Sequence, residues 1–208
     1  FFRNPLSLEA YDNAGMISDP LNMYDAAPYA DGAAALILTR RDLLLKNFPH
    51  PLVRLLGSSV SIDTLAWHDR QNPLNFTAAR TAVENAALQA GITPLYANLF
   101  ELDDSYSIYA ALTLEACGFA DPGSAGKLAR DGHFKLNGKV PILTMGGCMA
   151  RGNPVGAKGV YQAVEAVQQL RGEAGANQVK DARIALTLAL GGPASTAIAH
   201  VFDRVECR

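Results

Sequence analysis

One stretch constrains this chain more than any other. From Met145 to Val160 it reads Met-Gly-Gly-Cys-Met-Ala-Arg-Gly-Asn-Pro-Val-Gly-Ala-Lys-Gly-Val, and apolar residues at helical spacing follow it. A run so rich in glycine makes a poor helix or strand interior, because glycine loses the most backbone freedom on ordering. It reads as a tight loop that delivers the chain to the start of a helix. There, unpaired N–H groups and the positive end of the helix dipole gather. Such a place suits an anion, an oxyanion or a polarised carbonyl. The plainer reading is a tight strand-to-helix connection, with Asn153 as N-cap and Pro154 at the next position. The pattern alone leaves both readings open.

The rest of the chain alternates strand-like and helix-like segments. Ser7 to Asn13 predicts a short helix capped by Ser7. Asp31-Gly32 signals a turn, and Ala33 to Thr39 reads as a buried strand. Arg40 to Asn47 reads as a short helix stopped by Pro49. Leu52 to Ile62 reads as one or two strands around Gly57, and Thr64 to Phe76 as a loop. Thr77 to Ala90 is a helix with Ala79, Ala82, Val83, Ala86 and Ala90 on one face, closed by Gly91. Its small residues imply close approach to a sheet. Tyr96 to Leu102 is strand-like and leads through Asp103-Asp104-Ser105 into a helix from Tyr106 to Ala116. A short helix over Gly123 to Asp131 and a strand over Val140 to Thr144 follow. The helix from Gly156 to Leu170 is expected to turn Val160, Ala163, Val164, Val167 and Leu170 inward. Ala182 to Leu190 and Thr196 to Phe202 form a closing strand pair joined at Gly191-Gly192-Pro193. The class is α/β, a mixed sheet with helices on its faces, preceded by an irregular N-terminal arm.

Composition excludes several functions. The chain has 208 residues, 49% hydrophobic and 18% charged, with formal net charge −2. That balance exerts no strong pull on nucleic acid. No apolar run approaches the roughly 18 residues of a membrane span. Cys117, Cys148 and Cys207 are too few and too irregular for a disulfide framework, so reduced thiols and a cytoplasmic location are expected. The opening Phe1-Phe2-Arg3-Asn4-Pro5 has no Met and no signal-peptide pattern, which suggests a processed start or a piece of something longer. No Walker A loop, dinucleotide fingerprint or nucleophile elbow is present. His50, His68, His133 and His200 show no metal-ligand spacing with the cysteines and read as structural or surface residues, so no metal is expected.

Against this background the glycine loop resembles that of the thiolase family, especially its sterol-carrier-type and archaeal acetyl-CoA acetyltransferase-like branch. Members carry Gly-Gly-x-x-x-x-Gly-His-Pro-x-Gly-Ala-x-Gly. This chain has Gly146-Gly147, Gly152, then Asn153-Pro154-Val155-Gly156-Ala157-Lys158-Gly159. Arg3-Asn4-Pro5, Met16 to Leu21, Asp31 to Leu36, Glu101 to Ser107 and the closing Leu190 to Thr196 are similar to family segments too. The resemblance implies the second half of a thiolase. Residues 1–50 would be an arm and the end of the first half, and 51–208 the C-terminal-like domain. It also implies that the nucleophilic cysteine lies in the first half, and that Cys148 is not it.

Three departures follow from the resemblance. The loop histidine that activates the cysteine is Asn153. The Asn or His of the oxyanion site is Asp103. The late Cys or His that moves the α-proton falls at Leu188, give or take a residue. An amide exchanges no proton near neutral pH, so Asn153 cannot be a general base. A carboxylate at Asp103 repels an oxyanion unless protonated. Asn153 and Asp103 are the candidate catalytic positions. Asn153 would hydrogen-bond a thioester carbonyl; Asp103 or Asp104, if buried, would be a base with a raised pKa, or else a helix N-cap. Gly146, Gly147, Gly152, Gly156, Gly191 and Gly192 are candidate substrate-binding positions, with Lys158 offering charge to a phosphate or standing exposed in the first turn.

Three functions are consistent with this. The first is an acyl-CoA-handling, acyltransferase-type subunit of a thiolase-like assembly in lipid metabolism. It would take a CoA thioester as substrate, bind no tight cofactor, and form a homo- or hetero-oligomer with a chain supplying the first half. The second is cysteine-free, aldolase-like cleavage of a CoA thioester using Tyr106, Tyr109 or Tyr161. The third is a non-catalytic scaffold.

Overall fold

The computed structural model describes residues 6–44 and 48–205. The segment Arg3-Asn4-Pro5 and Cys207 lie outside those residues. In chain order the elements are α1 (Leu8–Asp12), β1 (Met16–Ser18), β2 (Leu21–Asn22), β3 (Leu52–Ile62), α2 (Thr77–Ala90), β4 (Leu99–Glu101), α3 (Ser107–Ala116), α4 (Ala125–Arg130), α5 (Gly147–Arg151), α6 (Lys158–Arg171), β5 (Ile184–Gly191) and β6 (Thr196–Val205). Strands β3, β6, β5 and β4 form one mixed sheet in that order. The pairs β3–β6 and β5–β6 are antiparallel and β4–β5 is parallel.

Helix α2 lies on one face of this sheet, as its alanines predict. Ala79, Ala82, Val83 and Ala86 are buried with Ala78 and Ala87, and Gly91 closes the helix at φ +70°. The helix comes so close to β3 that a Cβ on Gly57 would collide with the Ala86 carbonyl oxygen. The ladder shifts register between Leu55 and Gly57, a bulge at the point of contact. Leu186, Leu188, Ala197, Ala199 and Val201 complete this core from the sheet, with α3 residues Leu112 and Leu114 beside them.

Helix α6 covers part of the other face, burying Ala163, Ala166 and Leu170 against Leu99, Ala185 and Phe202. The expected valine face is not the buried one. Val160 is exposed and Val164 and Val167 are half-buried, whereas Lys158, Gln162, Glu165 and Gln169 are buried. The reason is that α6 packs on backbone as well as on side chains. Gln162 Nε2 donates to the carbonyls of Leu102 (2.8 Å) and Leu188 (3.1 Å). Gln169 Nε2 donates to Thr144 Oγ1 (2.8 Å) and to the Asn177 carbonyl (2.7 Å). Amides aimed at chain ends outrank valines for these inward positions.

Three other expectations change. Ala33 to Thr39 is not a buried strand: no ladder is assigned to it, Ile37 is 96% exposed, and Leu36 and Leu38 lie at the mouth of a cleft. Six apolar residues in a row make a strand only where another strand pairs with them. Arg40 to Asn47 shows a 3-10 turn at Arg41–Leu43, with residues 45–47 outside the described set. Val140 to Thr144 makes one bridge, Ile142 to Phe100. Pro141 lacks an N–H and Leu143 sits at φ +48°, which stops the ladder there. In the arm, α1 is capped by Ser7 as expected, and the small β1–β2 hairpin was not foreseen.

Candidate functional site

The glycine loop folds around a carboxylate of its own chain. Gly146, Gly147 and Gly152 take φ of +97°, +59° and +102°, conformations other residues adopt only at a cost. They form the one-turn helix α5, whose Cys148 and Met149 N–H groups donate to Asp104 at 2.8 and 3.0 Å. A Cβ on Gly147 would collide with that carboxylate. The acceptor at the start of α5, a turn that was not foreseen, is therefore the chain's own Asp104, whereas the anion was anticipated at the start of the helix that follows. Gly146, Gly147 and Gly152 shape the loop and do not line the cleft. Burial pushes Asp104 above the ordinary carboxylate range, although its two N–H bonds pull the other way.

Beneath the loop lies a second acidic arrangement. Glu101 is fully buried; its Oε1 accepts from Thr144 N (3.1 Å) and Thr144 Oγ1 (3.0 Å). Glu165 is ion-paired to Arg151. The Oε2 atoms of both glutamates are buried without another hydrogen-bond partner. Burial, then the neighbouring Glu101, pushes Glu165 up to about 7, and burial raises Glu101 too. Glu101 holds Thr144 and Glu165 holds Arg151, so the two carboxyls tie β4 and α6 to the chain on either side of Gly146-Gly147.

The cleft itself has a volume near 790 Å³ and lies between α6, the α6-side face of β5 and β6, and the arm. Asp103, Ser105, Asn153, Gly156, Lys158, Gly191 and Gly192 all line it. Asp103 is 1% exposed. Its Oδ1 accepts from Ser105 N (3.0 Å) and Ser105 Oγ (2.7 Å), and its Oδ2 from Leu190 N (3.3 Å). Oδ2 is also ion-paired to Lys158. Lys158 is buried, so it is neither an exposed first-turn lysine nor free for a phosphate; its Nζ also donates to Ser105 Oγ at 3.0 Å. Asn153 Nδ2 donates to the same oxygen at 3.2 Å. Its Oδ1 accepts from Val155 N (3.0 Å), which fixes which way the amide faces. Asn153 thus turns the chain just ahead of the 3-10 turn Val155–Ala157, whose N-cap is Pro154, and does not cap α6, whose N-cap is Ala157. The arm clamps it: Asn153 N donates to the Pro28 carbonyl (2.7 Å) and Ala30 N to the Asn153 carbonyl (3.1 Å). Neither Asp103 nor Asp104 caps α3, whose N-cap is Tyr106.

The remaining expectations divide. Tyr106 and Tyr109 line the cleft, but Tyr161 does not; it lies under the Arg151 guanidinium at 4.8 Å. Burial raises Tyr109, so it is a hydroxyl donor and not a base. Leu188 faces the α2 core, and its neighbours Thr187 and Ala189 line the cleft instead. Cys148 is buried, with its thiol pushed up to about 12, and is no nucleophile. His200 was passed over on spacing, yet it lines the cleft. Burial lowers its pKa and its buried Nδ1 has no partner. The signal for it was the strict alternation of β6, which puts Thr196, Ile198, His200 and Phe202 on one face. Among the described residues, no group of three or more His, Cys, Asp or Glu is placed to hold a metal ion. No described helix is long and apolar enough to cross a membrane.

Comparison with known proteins agrees with this architecture. The acetyl-CoA acetyltransferase of Methanothermobacter thermautotrophicus is 39% identical over 203 residues, covering 98% of this chain and 53% of that protein. Sterol carrier protein 2 of Oryctolagus cuniculus is 32% identical over 199 residues, covering 93% of this chain and 36% of that protein. The chain thus spans about half the length of the archaeal relative. A solved structure titled Ltp2-ChsH2(DUF35) aldolase superposes with a TM-score of 0.85 at 22% identity, covering 100% of this chain and 53% of that one, a likeness of fold. The family model described as thiolase C-terminal domain-like matches residues 59–204. The chain belongs to the thiolase family and carries its C-terminal domain.

Proposed function

We propose that this chain is the acyl-CoA-handling half of a thiolase-like assembly, with the cleft as the thioester site. One observation carries the reading: apolar walls, from Leu36, Leu55, Val160 and Ile198, stand over a polar floor where Lys158 and Asn153 converge on Ser105 Oγ. An apolar cavity with a few fixed polar groups is the usual form of a small-molecule site. The walls suit an acyl chain and pantetheine, and the floor suits a thioester carbonyl. The archaeal relative's name, acetyl-CoA acetyltransferase, points to the same ligand class. Among the described residues of the cleft there is no cysteine, and Asn153 stands where the family's loop histidine activates one, so the reading takes the nucleophilic cysteine from elsewhere. A partner chain with the first half would supply the cysteine and cover the open sheet face beside the cleft. The tyrosine-based cleavage reading is weaker, because Tyr161 is turned away and Tyr109 is held protonated.

Isothermal titration with acetyl-CoA, a medium-chain acyl-CoA and free CoA tests this. The medium-chain thioester is expected to bind more tightly than free CoA. Ile198→Trp, which fills the mouth from an already exposed position, should weaken it at least tenfold, about 1.4 kcal/mol. Equal affinity for free CoA and the thioester, or indifference to Ile198→Trp, would remove the cleft as the acyl site.

A further inference from the structure

The geometry points to Ser105 as an acyl-accepting nucleophile that takes the acyl group of a CoA thioester as a serine ester. This rests on the reading that the cleft binds CoA thioesters.

Three polar side chains of the floor, those of Asp103, Asn153 and Lys158, converge on Ser105. Its Oγ donates to Asp103 Oδ1 at 2.7 Å and accepts from Lys158 Nζ at 3.0 Å and Asn153 Nδ2 at 3.2 Å. Its backbone is fixed on both sides: its N–H is held by Asp103, and its carbonyl accepts from Ala27 N at 2.9 Å. It follows the carboxyl end of β4, which is parallel to β5, and precedes α3. Open α/β sheets present their reactive groups at such strand ends. A hydroxyl, an acceptor for its proton and two convergent donors are the parts that acyl transfer requires. Among the described residues the thiols do not compete, because Cys117 and Cys148 are buried and held protonated.

The step balances without an oxidant or reductant. The incoming carbonyl oxygen takes the donor of the longest bond, Asn153 Nδ2, which frees a lone pair on Ser105 Oγ. That oxygen attacks the thioester carbon as its proton passes to Asp103 Oδ1. Asn153 and the Lys158 ammonium hold the tetrahedral oxyanion. The C–S bond then breaks, and the CoA sulfur leaves with the proton returned from Asp103. The products are a serine ester and free CoA; water or a second acceptor then takes the acyl group. Lys158, paired with Asp103, serves as a donor, and Asp103 is the base.

The test is intact-protein mass spectrometry, with peptide mapping, of the chain incubated with acetyl-CoA or a medium-chain acyl-CoA and quenched in acid. Free CoA release is followed alongside, and thioester binding to the wild-type chain is titrated separately. The expected result is an acyl adduct on the peptide containing Ser105 with CoA release, both lost in Ser105→Ala. Ser105→Cys, which keeps a nucleophile there, is expected to restore the adduct and so guards against a folding defect in the alanine variant. Thioester bound and recovered intact, with no adduct and no CoA release, overturns the proposal while leaving the binding reading in place. An adduct or CoA release that persists in Ser105→Ala overturns it too. No binding to the wild-type chain removes both.

Discussion

The two faces of the four-stranded sheet differ in completeness. On the α2 side Leu186, Leu188, Ala197, Ala199 and Val201 are at most 1% exposed. On the other side α6 covers β4, β5 and the ends of β3 and β6 near Val53 and Phe202, and leaves the rest of β3 open. There Leu55, Val60, Ile62 and Ile198 remain 43%, 61%, 78% and 37% exposed, and the apolar segment from Ala33 to Leu38 crosses the same region without a ladder. One face has the density of a finished core; the other has the surface composition of an interface. Stability should therefore be concentrated on the first face, and ligand or assembly behaviour on the second.

The largest effect separating the faces is expected at Leu188. Leu188→Ala empties a fully buried position in the core that α2 closes, and should cost about 2–5 kcal/mol in urea unfolding. A loss below about 1 kcal/mol would mean that this face is not the stabilising one. Next comes Asp104. Asp104→Ala strips the Cys148 and Met149 N–H groups of their acceptor and should cost about 1–3 kcal/mol, while Asp104→Asn, which keeps one acceptor oxygen, should cost less. If the two variants were equally stable, the loop would not depend on that carboxylate.

How far the sequence revealed these arrangements depended on the range of the contacts. Helix α2 was legible to its ends, because its alanine face and Gly91 are local signals. The β5–β6 pair was legible for the same reason. The glycine loop was legible as a loop, but not what it encloses: Asp104 lies 44 residues from Cys148, and nothing in either segment names the other. Helix α6 was misread, since Gln162, Glu165 and Gln169 are buried for the sake of distant partners and periodicity scores only apolar residues. His200 was missed because metal spacing was sought instead of the face it shares with Ile198.

The third expected effect is a pH dependence from the buried Glu165. Glu165 is held at about 7 in the folded chain against 4.5 for a free glutamate. Between those values the folded state keeps a proton that the unfolded state has released, so stability falls as pH rises across that window. The contribution is fully present below about 4.5 and gone above about 7. Urea midpoints should decline from the acidic to the neutral end of the window, and Glu165→Gln should flatten the decline. An unchanged slope in that variant would place the proton elsewhere.

The smallest effect is expected on the incomplete face, and it is the one that sharpens the contrast. Val60 and Ile62 alternate along β3 and pair with Ile198 and Thr196 on β6, so both side chains project to the α6 side beyond the helix. Because each is already mostly exposed, Val60→Ser with Ile62→Ser removes little buried area and should move stability by no more than about 0.5 kcal/mol. A loss near that of Leu188→Ala would show that the face is covered within the chain's own fold. With stability held, the same double variant should lower the tendency of the chain to associate, read by light scattering across a concentration series, because it replaces exposed apolar side chains of the open sheet face with hydroxyls. Unchanged association would locate any interface away from this part of β3.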